Sequence, residues 1–284
     1  MGQGISSAVA STKELYGLSL LINLGVFFLH ALPQRSEKYY DLTGSLAFGA
    51  CTVASLLRGA RGIEAAVASG CLLLWCNRLG WFLLSRVLET GGDRRFDKIK
   101  DSAPTFLFAW LMQATWVYLV GLPVYLLNAK PASSERPETP RQRGLLSRGQ
   151  LLALVAWAAG FLLEVIADAQ KRGFSADPSC RGRFISTGLW SVVRHPNYAG
   201  EILMWLALAC FSSLQLLRDG RPLQKWAPFA SPILTFCLLR FLSGVPMLER
   251  QGLKRWGHLP EYRAYLRTTP RLLPTWGSLT RIHS

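Results

Sequence analysis

The chain has 284 residues, half of them hydrophobic and only 17% charged, with a mean hydropathy of +0.21. A soluble domain carries about 25% charged residues, so an ordinary water-soluble globule is excluded. The formal charge of +15 gathers between apolar blocks, which suits lipid headgroups, membrane topology and an anionic cofactor and argues against a nucleic-acid surface.

The apolar residues come in blocks of about 17–25, the length that crosses a hydrocarbon core of roughly 30 Å. The first covers residues 15–32. It has the look of a signal-peptide core, but Lys13 and Glu14 make a weak basic flank and no small-residue cleavage site is clear. A retained helix is expected. The second block, residues 42–57, is short and holds Gly44, Ser45 and Gly49, small residues that let helices approach closely. The third, residues 63–88, carries Arg78 and Arg86 and runs into the charged stretch Gly91-Gly92-Asp93-Arg94-Arg95-Phe96-Asp97-Lys98. The fourth, residues 105–127, embeds Gln113 and Trp116.

Residues 131–143, Pro-Ala-Ser-Ser-Glu-Arg-Pro-Glu-Thr-Pro-Arg-Gln-Arg, form the most polar stretch and read as a flexible linker. Beyond it lie blocks at 150–167, 198–217 and 226–242, then a basic tail. No internal repeat is visible. The expected fold is all-α, a polytopic membrane protein of about seven transmembrane helices. It divides into N-terminal membrane helices on the substrate side (1–130), a polar linker (131–148) and a C-terminal cofactor-binding half (149–284).

Seven crossings put the termini on opposite faces. A cytosolic tail then places the larger share of Lys and Arg in the cytosol, as the positive-inside rule prefers. The start Met1-Gly2-Gln3-Gly4-Ile5-Ser6 fits a myristoylation pattern, which would need a cytosolic N-terminus. A chance match, or six or eight crossings, reconciles the two.

Cys51, Cys71, Cys76, Cys180, Cys210 and Cys237 form no Cys-x-x-Cys pair, and five of them sit in apolar runs as small hydrophobes. His30, His195, His258 and His283 are scattered, so no metal is expected.

The segment at 188–201, Gly-Leu-Trp-Ser-Val-Val-Arg-His-Pro-Asn-Tyr-Ala-Gly-Glu, carries the strongest chemical signal. Pro196 suits the first position of the sixth helix. A helix start offers unpaired N–H groups and partial positive charge, and Arg194 and His195 add donors, so a phosphate or carboxylate fits there. Asn197, Glu201 and Trp205 follow at i, i+4 and i+8 on one face. Polar groups at that depth usually serve a polar ligand, although Arg194 and His195 could also reach lipid headgroups, and Glu201 could be paired for structure alone. On the fifth helix, Glu164, Asp168 and Lys171 share a face at i, i+4 and i+7, either as an ordinary helix-end salt bridge or as a grip on ribose or phosphate. In the tail, Tyr262 and Tyr265 could stack on a ring, or the stretch could lie on the membrane as an amphipathic segment. Pro270 and Pro274 stop any long helix there. No Gly-x-Gly-x-x-Gly, Walker or Gly-x-Ser-x-Gly motif occurs, so a nucleotide would have to bind in a helical site.

Together these residues resemble the membrane steroid 5-alpha-reductase superfamily, and within it the group known as domain of unknown function 1295. The resemblance rests on Asp168-Ala169-Gln170-Lys171, the 188–201 segment, Gly244-Val245-Pro246-Met247-Leu248-Glu249, and the tail from Glu261 to Pro274, with support from Arg78-Leu79-Gly80 and Gln113-Ala114-Thr115-Trp116-Val117. It spans residues 41–274. It implies NADPH in a cavity of C-terminal helices open to the cytosol, lined by Asp168, Lys171, Arg194, Asn197, Tyr198, Glu201 and Tyr265. His195, Glu249, Arg250 and Tyr262 join them as candidates. The implied reaction reduces a C=C bond conjugated to a carbonyl in a lipid-like substrate.

Steroid reductases use a glutamate from an early helix and a tyrosine from the next. Here Trp75 stands where the tyrosine precedes Arg78 by three, and Asp41 is the nearest carboxylate, so Asp41, Trp75 and Arg78 are the catalytic candidates. The chain also resembles isoprenylcysteine carboxyl methyltransferases, which use S-adenosylmethionine, through Arg-His-Pro-x-Tyr and the tyrosine-rich tail. Those usually show two adjacent glutamates where this chain has Glu249-Arg250. A non-enzymatic lipid-binding membrane protein is the remaining reading. The expected location is a membrane, the endoplasmic reticulum in a eukaryote or the plasma membrane in a bacterium, with membrane lipids and a lipid-like substrate as partners.

Overall fold

Among the residues that the computed structural model describes (2–59, 62–90, 92–93, 96–129 and 146–279), every regular element is helical. The linker at 131–143, Gly91, Arg94, Arg95, Lys130 and His283 lie outside them.

Helix α1 (Gly2–Val26) continues through a π turn (Phe27–Ala31) into the short α2 (Leu32–Gln34). Then come α3 (Tyr40–Arg58), α4 (Ile63–Thr90), α5 (Ala103–Asn128) and α6 (Arg148–Ala176). A single turn, α7 (Leu189–Val192), precedes α8 (Pro196–Arg218). Next, α9 (Ala230–Cys237) runs through a second π turn (Leu238–Leu242) toward α10 (Val245–Trp256), and α11 (Pro260–Thr268) and α12 (Trp276–Leu279) close the chain.

Six segments are long and apolar enough to cross a membrane: Thr12–Gln34, Ile63–Ser85, Ala103–Asn128, Arg148–Ala176, Pro196–Arg218 and Ala227–Trp256. The protein is therefore an all-α, multi-pass membrane protein. The remaining expected crossing is α3, a helix of 19 residues that spans about 28 Å. Its Asp41, Thr43, Ser45, Thr52 and Ser55 dilute the apolar signal.

The chain folds as two compact units: Met1–Leu151 with Leu208–Ser231, and Leu152–Ala207 with Pro232–Ser284. In the first, α3 packs against α1, α4 and α5. Its small residues make this possible: a Cβ on Gly44 would meet the Gln113 amide at 2.8 Å. Residues 120–128 of α5 are all buried, as expected for a helix apolar all round. Polar groups close on one another across these helices. Asn128 donates to Ser55 Oγ at 2.8 Å and Ser69 Oγ at 3.0 Å, Gln113 to the Tyr40 carbonyl at 2.7 Å, and Ser19 to the Ala114 carbonyl at 2.9 Å. Without water in the hydrocarbon, such groups must find protein partners.

In the second unit, α6 and α8 cross at Gly160 and Gly200. A Cβ on Gly200 would lie 2.5 Å from the Gly160 carbonyl oxygen. Only paired glycines let two backbones approach so closely. That contact fixes the height of Asp168 on α6 relative to Asn197 and Glu201 on α8.

Candidate cofactor site

The approach to α8 is tied down by its own sequence. Gly188 has φ of +60°, a conformation that favours glycine, and a Cβ there would meet the Gln170 side chain at 2.7 Å. Gln170 Oε1 accepts from the Leu189 N–H at 3.0 Å. The Trp190 indole donates to the Ala167 carbonyl at 3.1 Å, and the Lys171 ammonium lies 5.0 Å from the Trp190 ring centre. Tyr265 donates its hydroxyl proton to the Trp190 carbonyl at 2.7 Å. Gly-Leu-Trp thus fastens the end of α6, the loop and α11 together.

The chain then delivers Arg194 and His195 against the tail. The Arg194 N–H donates to the Pro270 carbonyl at 2.8 Å and the His195 N–H to the Arg271 carbonyl at 3.1 Å. Pro196, with no N–H to satisfy, opens α8.

One carboxylate organises the side chains. Arg194 Nη1 lies 2.9 Å from Glu249 Oε1, Arg271 Nε 3.4 Å from Oε2, and His195 Nε2 3.7 Å from Oε1. Two guanidinium cations share one carboxylate, which leaves an excess of positive charge.

His195 is buried and stacks on Tyr198, with ring centres 5.5 Å apart and planes at 13°. Burial lowers its pKa from the ordinary value, the Lys171 and Arg194 cations push the same way, and Glu249 pulls against them. The imidazole is therefore neutral at pH 7. Burial also lowers Arg194, and the guanidinium stays a cation. The hydroxyls of Tyr262 and Tyr265 are raised, chiefly by burial, and remain protonated donors.

A second cluster sits beside α8. Asn197 Nδ2 donates to Asp168 Oδ1 at 3.1 Å, and both Asp168 and the neighbouring Glu164 are buried. Among the described residues, the buried polar atoms of these clusters without a hydrogen-bond partner include Arg194 Nε, His195 Nδ1, His195 Nε2 and Asn197 Oδ1. Buried polar atoms are normally satisfied, and here the unsatisfied ones lie beside a surplus of positive charge.

All eleven residues expected at the cofactor belong to the second unit. The structure brings Arg194, His195, Tyr198 and Glu249 together, and Asp168 with Asn197. Glu201 is half-buried one turn below Asn197, and Trp205 is buried another turn on. Tyr262 joins Phe184, Trp256 and Tyr265 in an aromatic cluster. Arg250 is exposed and makes no ion pair among the described residues.

The catalytic candidates all lie in the first unit. Trp75 is fully buried with Phe48 edge-on at 5.3 Å, Arg78 lies over the Phe82 ring at 5.3 Å, and Asp41 is in the first turn of α3. Arg271, the third group on Glu249, was not foreseen. A lone arginine in an arginine-rich tail carries no signal of its own. Its place between Pro270 and Pro274, which hold the backbone off helix, was the available clue. Among the described residues no cluster of His, Cys, Asp or Glu is placed to hold a metal, and all six cysteines are free thiols.

The profile described as Protein of unknown function (DUF1295) matches residues 27–269, most of the chain. The chain belongs to this family. The DUF1295 match contains both polar clusters, including Glu249 and the α11 tyrosines, and stops just before Pro270 and Arg271. No curated protein and no solved structure matches.

Proposed function

We propose that this DUF1295 protein is a membrane-bound, NADPH-dependent reductase that acts on a C=C bond conjugated to a carbonyl in a lipid-like substrate, a sterol, fatty acyl or isoprenoid chain. The observation that carries the reading is the cationic excess around Glu249 beside buried donors and acceptors that lack partners. NADPH is a polyanion rich in hydroxyl and amide groups and complements both features. S-adenosylmethionine carries a sulfonium cation, which two arginines would repel.

The residues fit such a ligand by chemistry. Arg194 and Lys171 would hold phosphate oxygens, and the start of α8 adds its partial positive charge. The Asp168–Asn197 pair, with Glu201 a turn away, offers acceptors and an amide for ribose hydroxyls or a carboxamide. Neutral His195 stacked on Tyr198, together with Tyr265, presents aromatic faces and protonated donors. Arg250 and Tyr262 belong to the same proposal at its rim. When bound, NADPH supplies a hydride to the carbon β to the carbonyl.

On the substrate side, Asp41, Trp75 and Arg78 are assigned to the carbonyl. An indole N–H is a hydrogen-bond donor and a very weak acid, so Trp75 would stabilise developing negative charge without giving up its proton, and solvent water would supply the proton that the α carbon takes up. The reading places the second unit's cluster in the cytosol, in the endoplasmic reticulum membrane of a eukaryote or the plasma membrane of a bacterium.

The test is turnover by purified protein with a panel of lipid enones and NADPH deuterated at its reactive carbon. The expected result is enone-dependent consumption with deuterium at the β carbon. Methyl transfer from S-adenosylmethionine to a lipid acceptor, with no deuterium transfer, would assign the protein to the methyltransferases. Neither activity, with lipid retained, would leave a binding protein.

A further inference from the structure

Ile233 and Phe236 on α9, and Arg240 in the π turn that follows, are spaced at i, i+3 and i+7, one stripe of the spanning segment. Ile233 is 62% exposed and Phe236 40%, while the neighbouring Phe241 and Leu242 are 60% and 66% exposed. Such a stripe on a membrane-spanning segment is what lipid tails cover. Arg240 interrupts it with its guanidinium 5.1 Å from the Phe241 ring centre, and it has no carboxylate partner among the described residues. An arginine there reaches for the headgroup layer.

Beside it opens a cleft of about 410 Å³, lined by Arg194, Phe236, Arg240, Arg271, Leu272 and Leu273. Three guanidinium groups converge on it. Among the described residues Glu249 is the carboxylate bound to them, through Arg194 and Arg271, so the count there is three positive charges less one negative. The remaining wall is apolar, and Leu273 stands well exposed. Surplus cations beside an exposed apolar wall complement an anionic amphiphile.

We propose that this cleft binds one anionic phospholipid, with Arg240 and Arg271 on its phosphate and Phe236, Leu272 and Leu273 along the start of an acyl chain. The cleft adjoins the proposed cofactor cluster and shares Arg194 and Arg271 with it, whereas Arg240 and Phe236 take no part in the cofactor reading and belong to the lipid alone.

The test uses the purified full chain in phosphatidylcholine nanodiscs doped with phosphatidylglycerol. Retained lipid is read by native mass spectrometry, and NADPH affinity is measured on the same samples. The wild type is expected to enrich phosphatidylglycerol. Arg240→Gln is expected to lose about fivefold of that preference, the effect of one arginine near a lipid surface, with NADPH affinity unchanged. Phe236→Ala weakens retention and Arg240→Lys keeps most of it, so the proposal stays testable if Arg240→Gln does not fold. Absence of enrichment would overturn the proposal. Equal loss in Arg267→Gln, an exposed arginine outside the cleft, would assign the preference to diffuse surface charge and overturn it too. So would displacement of the lipid by millimolar inorganic phosphate, which would mark a free-anion pocket.

Discussion

The two units spend their polar residues differently. In the first, Asn128, Gln113 and Ser19 each donate to a neighbouring helix and fasten α1, α3, α4 and α5, and the amide oxygens left without a partner among the described residues, Asn23 Oδ1 and Asn128 Oδ1, carry no charge. In the second, Arg194, His195 and Arg271 crowd one carboxylate, and buried atoms of Arg194, His195 and Asn197 have no hydrogen-bond partner among the described residues. Polarity at membrane depth is costly in both cases. A hydrogen bond that closes on a neighbouring helix explains itself, whereas a cluster with spare donors, acceptors and charge points to a ligand.

The contrast breaks most visibly at Glu249. Glu249→Ala strands two arginines that share one carboxylate, and the loss of a partner from a largely buried ion pair costs about 3 kcal/mol or more. Thermal unfolding in detergent should show the largest fall of any variant here. A melting temperature close to wild type would mean the cluster is solvated and would remove its distinction from the first unit.

Gly200→Leu comes next. Its Cβ would sit 2.5 Å from the Gly160 carbonyl oxygen and 2.8 Å from the Glu164 backbone nitrogen, and main-chain atoms cannot swing aside. The helices must part, at a cost of about 1–3 kcal/mol, with weaker NADPH binding because Asp168 and Asn197 separate. Asn128→Ala should cost about 1 kcal/mol through its lost hydrogen bonds, yet leave NADPH affinity of the folded protein unchanged. Equal loss of affinity in both variants would show that polar groups of the first unit also serve the ligand.

A smaller effect follows pH. Burial holds the folded-state pKa of His195 below its ordinary 6.5, so between those values the unfolded chain binds the extra proton. Stability is complete above 6.5 and falls as pH drops through that window. The melting temperature should decline as pH falls below 6.5, and the decline should flatten in His195→Phe. The smallest change is Arg58→Ala. Its pair with Glu14 is exposed on both sides, so stability should move by less than about 0.5 kcal/mol.

Much of this organisation was legible in the chain. The apolar blocks marked the helices, Pro196 marked the start of α8, and Pro270 explained why α11 ends at Thr268. The 188–201 segment exposed most of the Glu249 cluster because Arg, His, Pro, Asn and Glu rarely coincide at the mouth of an apolar run. Other features left no local trace. The π turns at Phe27–Ala31 and Leu238–Leu242 are apolar and look like plain helix. Helix α6 runs on to Ala176, beyond the apolar block ending at 167, because Gln170 and Lys171 are held by Leu189 and Trp190 from a distant loop. Arg271 reaches Glu249 through tertiary structure alone.

The central claim is that the second unit's cationic cluster holds an anionic dinucleotide. Equilibrium titration of NADPH and of S-adenosylmethionine onto the purified protein, followed by tryptophan fluorescence, tests it most directly. Saturable NADPH binding is expected, weakened at least tenfold in Arg194→Gln at about 1.4 kcal/mol per tenfold, with no saturation by S-adenosylmethionine. Saturation by S-adenosylmethionine, with none by NADPH at millimolar concentration, would contradict it.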